Sequence, residues 1–217
     1  DDLSFVAQLF RIHPDDPQPR LIRQAAEIVR RGGVIAYPSD SCYALGCHIG
    51  DKGAMERIRA IRGLDAKHHL TLVCRNLAEI GQYAKVDNSQ FRLLKATTPG
   101  SYTFILQATR EVAKRLLHPS RRTIGLRVPD HNVARALLAE LGEPLLSSTL
   151  HLREDEAPLN DAEEIRARLE HSVDAVIDAG SCGIVPTTIV DLTADAPRVI
   201  RVGKGASTPF EALAQNT

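Results

Sequence analysis

The chain lacks a net charge: 27 lysine and arginine residues balance 27 aspartate and glutamate residues. Global charge therefore makes no case for a nucleic-acid or membrane partner, and any anion site has to come from local clustering. Long apolar runs are missing too; the longest is far too short to span a bilayer, and no signal-peptide pattern opens the chain. The four cysteines, at positions 42, 47, 74 and 182, form no CxxC pair and no framework spacing. That argues against a disulfide scaffold and reads as the reduced thiols of a cytoplasmic protein. Neither a Walker A sequence nor a GxGxxG fingerprint occurs, so the common nucleotide folds find no support. A GxSxG elbow is absent as well. None of the eight histidines sits in HExxH or a comparable pair, and the side chains of adjacent His68 and His69 diverge if they lie on a strand. Cys42, Cys47 and His48 are the remaining metal-ligand candidates, and buried thiols are their plainer reading.

What is present is ample apolar material, 43% of 217 residues, enough for one sizeable core and no low-complexity tract. Leu21 to Val29 carries the i, i+3/4, i+7 stripe of an amphipathic helix, stopped by Gly32-Gly33. Further helices are predicted from Gly53 to Arg62, Leu77 to Tyr83, and from a cap at Asn88 or Ser89 through Lys95. Another follows an N-cap at Asp130. Strands are predicted at Val34–Tyr37, Leu70–Cys74, Tyr102–Ala108, Ile124–Val128, Leu145–Thr149, Val173–Ile177, Thr188–Leu192 and Val199–Val202. Strands separated by helices imply an α/β layer architecture, and the close spacing of the late strands predicts a mixed sheet. Between Arg153 and Glu164 lie six carboxylates, at positions 154, 155, 156, 161, 163 and 164. They read as a solvated loop and the acidic first turn of a helix capped by Asp161.

The chemistry concentrates between Val34 and Leu72. A strand ends at Pro38, and Ser39, Asp40, Ser41, Cys42 and Tyr43 follow at its C-terminal edge, where open α/β sheets usually bind ligands. A turn held by serine and aspartate side chains explains the same residues. Next comes a basic segment with Lys52, Arg57, Arg59, Arg62 and Lys67. Arg121, Arg122 and Arg127 form a second cluster, and Arg201 and Lys204 a third. A solvated helix face explains the first cluster by itself; convergence of the three on one cleft makes an anion site.

These residues carry a resemblance. AYPSDSCYALGC, from Ala36 to Cys47, resembles the YPTDTVYGLGC signature of the YrdC/YciO-like family, whose members make threonylcarbamoyl-adenylate for tRNA modification. The likeness continues through IRAIRGLDAKHHLTLVC, TPGSYTFIL, TIGLRVPDH, EPLLSS, VPTTIVDL and RVIRVGKG, in order, and its wording is nearest the YciO branch. The resemblance implies one YrdC-like domain over residues 10–205, with an extension at 1–9 and a tail at 206–217. It implies a twisted mixed sheet flanked by helices around a concave basic cleft. ATP, with Mg2+ on its phosphates, L-threonine and bicarbonate are its implied occupants, and double-stranded RNA or tRNA its implied macromolecular partner. By position, the resemblance makes Arg62 catalytic. It puts His68, Thr103, Thr149 and Arg201 beside nucleotide, and Ser39, Ser41, Arg127, Ser147 and Thr187 beside the other substrates. Three positions depart from the synthases. Their KxR pair reads Arg62-Gly63-Leu64, their SxN element reads Thr149-Leu150-His151, and a histidine is replaced by Val73. A guanidinium lost opposite a triphosphate removes a bond typically worth roughly 1.5–3 kcal/mol. Two expectations follow from these departures: a slowed threonylcarbamoyladenylate synthase, or a relative that binds nucleotide or double-stranded RNA without the chemistry.

Overall fold

A computed structural model describes residues 5–64 and 70–214. Ten strands form one sheet: β1 (Gln8–Arg11), β2 (Ile35–Tyr37), β3 (Ala44–His48), β4 (Thr71–Val73), β5 (Tyr102–Gln107), β6 (Thr123–Arg127), β7 (Leu145–Thr149), β8 (Ala175–Asp178), β9 (Thr188–Asp191) and β10 (Arg198–Arg201). Their spatial order is β1-β8-β2-β3-β7-β4-β6-β5-β9-β10. The β1/β8, β2/β8, β4/β6 and β5/β9 pairs are parallel and the rest antiparallel, so the sheet is mixed. Seven α-helices accompany it: α1 (Pro19–Arg30), α2 (Lys52–Arg62), α3 (Leu77–Tyr83), α4 (Asn88–Thr97), α5 (Asn132–Leu141), α6 (Ala162–Leu169) and α7 (Thr208–Ala214).

Local chemistry sets the helix ends. Pro19 occupies the first turn of α1, where a missing N–H costs nothing. Asp51 caps α2 by accepting from the Ala54 N–H, and Gly63 ends it at φ 66°, a left-handed conformation cheap only for glycine. Asp161 caps α6 through the Glu163 and Glu164 N–H groups. Two caps differ from expectation. Asp87, with Gln90, makes a reciprocal capping box on α4 in place of Asn88 or Ser89. His131, not Asp130, caps α5, its ring nitrogen accepting from the Val133 N–H, because the helix begins at Asn132.

Strands β1 and β3 were not anticipated. β3 starts only six residues after β2 ends, too soon for a βα unit, and its Gly46 lies under the Tyr37 ring, where a Cβ would come within 2.9 Å. Parts of the segments set apart as extension and tail touch the sheet. Gln8 and Leu9 pair with β8, and Phe210 of α7 is fully buried against Tyr102 and Phe104.

Side chains alternate across each strand, so the sheet buries two cores. On one face Leu45, Leu72, Phe104, Leu126 and Leu146 pack with residues from α2, α3, α4, α6 and α7. On the other, Ile35, Tyr37, Val73, Leu145 and Ile177 pack beneath α1 and α5. Two helices cannot cover a ten-stranded face. Over β4, β5, β6 and β9 the second face carries Thr71, Thr103, Ile105, Gly125 and Ile189, and these line an open cavity of about 380 Å³.

Asp174 ties the two layers together: its Oδ2 accepts from the buried Val34 N–H at 2.8 Å and from Arg57 Nη1 at 2.9 Å. Asp174→Ala should cost about 2–4 kcal/mol, since a buried N–H and an arginine lose their acceptor together. Urea unfolding monitored by circular dichroism reads that loss, and Asp174→Asn should recover part of it.

Candidate active site

The loop after β2 folds back on itself before β3 begins. Ser39 Oγ donates to the Cys42 carbonyl at 2.7 Å and accepts from the Ser41 and Cys42 N–H groups. With the Ser39 proton committed, Ser41 Oγ donates to Ser39 Oγ at 3.2 Å. Ser41 Oγ in turn accepts from Arg127 Nη1 at 3.2 Å. One chain of hydrogen bonds thus runs from a guanidinium through two hydroxyls to a backbone carbonyl.

Arg127 stands at the end of β6 and pairs with Asp40, both nearly buried at 8% and 10% side-chain exposure. Asp40 also accepts from the Asp130 N–H, and its own carbonyl accepts from Ser101 Oγ and Lys204 Nζ. Arg127 Nη2 reaches the Gly100 carbonyl, while the buried Nε–H has no acceptor among the described residues. A buried orphan N–H of this kind awaits a ligand or a water.

The remaining expected residues extend the site along the sheet. Tyr37 OH donates to Ser147 Oγ at 2.7 Å, and Ser147 passes its proton to the Leu45 carbonyl. Burial raises the Tyr37 hydroxyl to about 12, so it remains a donor. Thr103 and Thr187 share a 2.8 Å hydroxyl bond on neighbouring β5 and the approach to β9. Arg201 of β10 closes over them, donating twice to the Thr187 carbonyl and once to its hydroxyl. Thr149, half-buried, shares its sheet face with Ser147 by alternation.

Arg62 is set apart from the Ser39–Arg127 group. It donates from the end of α2 to Ser148 Oγ and the His151 carbonyl. Burial and the like charge of Arg201 push its pKa down. His68 lies outside the described residues. The expected second cluster divides: Arg127 enters the inner site, Arg121 lines the open cavity, and Arg122 lines a separate one. Arg57 leaves the first cluster for Asp174. Asp40 and Lys204 complete the inner site; Asp40 was signalled by its position between two candidate serines and Lys204 by its place in the third basic cluster.

A family model named Sua5_yciO_yrdC and described as telomere recombination matches residues 27–203. The chain belongs to that family. Escherichia coli (strain K12) has a relative named YciO, 57% identical over 205 residues that cover 94% of this chain and all of that one. A Haemophilus influenzae protein is 55% identical over 94% of this chain and all of its own. The Bacillus subtilis (strain 168) threonylcarbamoyl-AMP synthase is 27% identical, covering 96% of this chain and 60% of the synthase. Among solved structures, that of E. coli YciO superposes with a TM-score of 0.91 at 57% identity, covering 94% of this chain and 99% of that one. P. abyssi Sua5 complexed with L-threonine shares the fold, with a TM-score of 0.82 at 24% identity over 90% of this chain and 57% of Sua5.

Two of the three positions that depart from the synthase pattern lie together. Leu64 and His151 line a shallow cavity of about 350 Å³ with Arg62, and the His151 ring is engaged with the Asp155 carbonyl at 2.8 Å. Val73 is buried beneath α1 and α5. Among the described residues no helix is long and apolar enough to cross a membrane, and no group of three metal-ligating side chains is gathered.

Cys42, next to Ser41, is a neutral thiol: burial pushes it up to about 11 from 9.0. Folding favours the protonated form, so its stabilising contribution is complete below pH 9 and is lost as pH rises through 11. Urea midpoints should fall over that window, and Cys42→Ala should fall less steeply than the parent chain.

Proposed function

We propose that this chain is an adenylate-forming transferase that makes L-threonylcarbamoyladenylate from ATP, L-threonine and bicarbonate in the cytoplasm, more slowly than the synthases, for tRNA threonylcarbamoyladenosine formation. The observation that carries the reading is the buried Arg127 guanidinium beside the Ser41–Ser39 relay, its Nε–H without a partner among the described residues. A carboxylate is the natural acceptor for that N–H, and the serine hydroxyls suit a small polar amino acid. The P. abyssi complex with L-threonine supports the same substrate by kinship.

In this reading the threonine amine combines with bicarbonate to give the carbamate and water. A carbamate oxygen then attacks the α-phosphorus, the bond to the bridging oxygen breaks, and pyrophosphate leaves. Magnesium arrives on the phosphates of ATP. The chain's own residues position and stabilise: Arg127 and the serines hold the amino acid, Thr103 and Thr187 orient the nucleotide, and Arg201 and Arg62 face the developing charge. The open floor of Ile105, Ile189 and Ile200 accepts the base.

Loss of the second KxR cation at Leu64 and of the SxN asparagine at His151 favours a second reading, a relative that keeps the cleft to bind nucleotide or double-stranded RNA. One assay separates them. Pyrophosphate release and mass-spectrometric detection of the adenylate, at high enzyme concentration, should show product that requires all three substrates. Arg127→Ala should reduce its rate at least 30-fold, mainly through threonine KM, and Leu64→Arg with His151→Asn should raise it. Absence of adenylate in both the parent chain and the double variant would refute the enzyme reading.

A further inference from the structure

At the opposite end of β5 and β6 from Arg127 the surface hollows into another cavity, of about 680 Å³. Gln107 at its edge lies four residues along β5 from Thr103, about 13 Å at ~3.3 Å per residue, so this hollow is separate from the inner site. Four cations line it: Lys85 from the loop after α3, and Arg110, Lys114 and Arg122 from the connection between β5 and β6. No carboxylate lines it, and among the described residues none of the four side chains has an ion pair or hydrogen bond. In a chain whose charges balance overall, that is a local excess. The segment from Arg110 to Arg122 repeats it, holding five arginines and lysines against Glu111 alone.

The backbone is committed to this arrangement. Arg122 adopts φ 56°, in the left-handed region that costs an ordinary side chain about 1–2 kcal/mol. Its N–H donates to the His118 carbonyl at 2.9 Å, and its own carbonyl accepts from Ala108 N–H at 3.1 Å, which pins the turn on both sides. Glycine or asparagine is the unstrained choice here; an arginine so held is placed before any ligand arrives.

We propose that this cavity binds a compact oligophosphate, a ligand presenting two or three linked phosphoryl groups, independently of the cleft. Two guanidinium forks and two ammonium groups converging on one hollow match closely spaced phosphate oxygens. The aliphatic lining, Val112 and Leu117 among it, includes no aromatic ring on which an unpaired base would stack. That disfavours a single-stranded nucleic acid as the occupant.

Calorimetric titration with inorganic tripolyphosphate tests this, carried out on Arg201→Ala protein so that the cleft contributes little. Binding should persist there and weaken with added salt. Adding Arg122→Gly should lower the affinity at least fivefold while the thermal midpoint stays equal or rises, because glycine relieves the left-handed strain. Arg110→Ala with Lys114→Ala, both exposed side chains, should lower it at least tenfold whatever Arg122→Gly does to stability. Unchanged affinity in these variants, or no tripolyphosphate binding once Arg201 is removed, overturns the proposal. So does a ten-nucleotide single-stranded RNA that loses affinity on Arg122→Gly when tripolyphosphate does not.

Discussion

The buried pair between Asp40 and Arg127 is the contact on which the inner cleft depends. Asp40 sits in the loop after β2, and Arg127 ends β6, four strands away in the sheet. Their contact draws in the Asp130 N–H ahead of α5, Ser101 ahead of β5 and Lys204 after β10. Four segments distant in sequence, the Asp40 loop among them, are thereby joined at one carboxylate-bearing residue. Removing one partner of such a pair leaves an uncompensated buried charge, a loss of about 3–5 kcal/mol. The two Nη groups of Arg127 are engaged by Ser41, Asp40 and the Gly100 carbonyl, and the Nε–H has no partner among the described residues.

The cleft itself is a consequence of unequal helix cover. Five helices fill one face of the sheet, whereas α1 and α5 cover only the part of the other face near β2, β3 and β8. Where cover stops, the residue types change from Ile35, Tyr37 and Leu145 to Thr71, Thr103 and Ser147. Gly125 leaves the floor open between Thr71 and Thr103. A threonine-lined floor tolerates water when empty and offers hydroxyl partners when filled, which an aliphatic floor would not.

Charge balance over the whole chain conceals strong local segregation. Arg62 bonds Ser148 and the His151 carbonyl while Arg201 bonds Thr187, and partial burial pushes both guanidinium pKa values down. Arg121 and Arg122, adjacent in sequence, are sent to different cavities by the left-handed turn at Arg122. Neighbours on a chain share a surface only when backbone geometry allows it.

From the sequence alone came the α/β class, eight of the ten strands, most helices, the cap at Asp161 and the family, because these rest on local periodicity, capping chemistry and motif order. Strands β1 and β3 escaped: β1 is a four-residue edge strand, and β3 is defined by its partners more than by its own residues. The serines after β2 were visible as candidates, since small hydroxyls at a strand's C-terminal edge are a local feature. Their relay to Arg127, 86 residues on, was not. Which arginines pair with a carboxylate, that the Arg127 Nε–H has no partner among the described residues, and where an open floor remains were all decided by tertiary structure. Each depends on distances between segments far apart along the chain, and no local pattern encodes those.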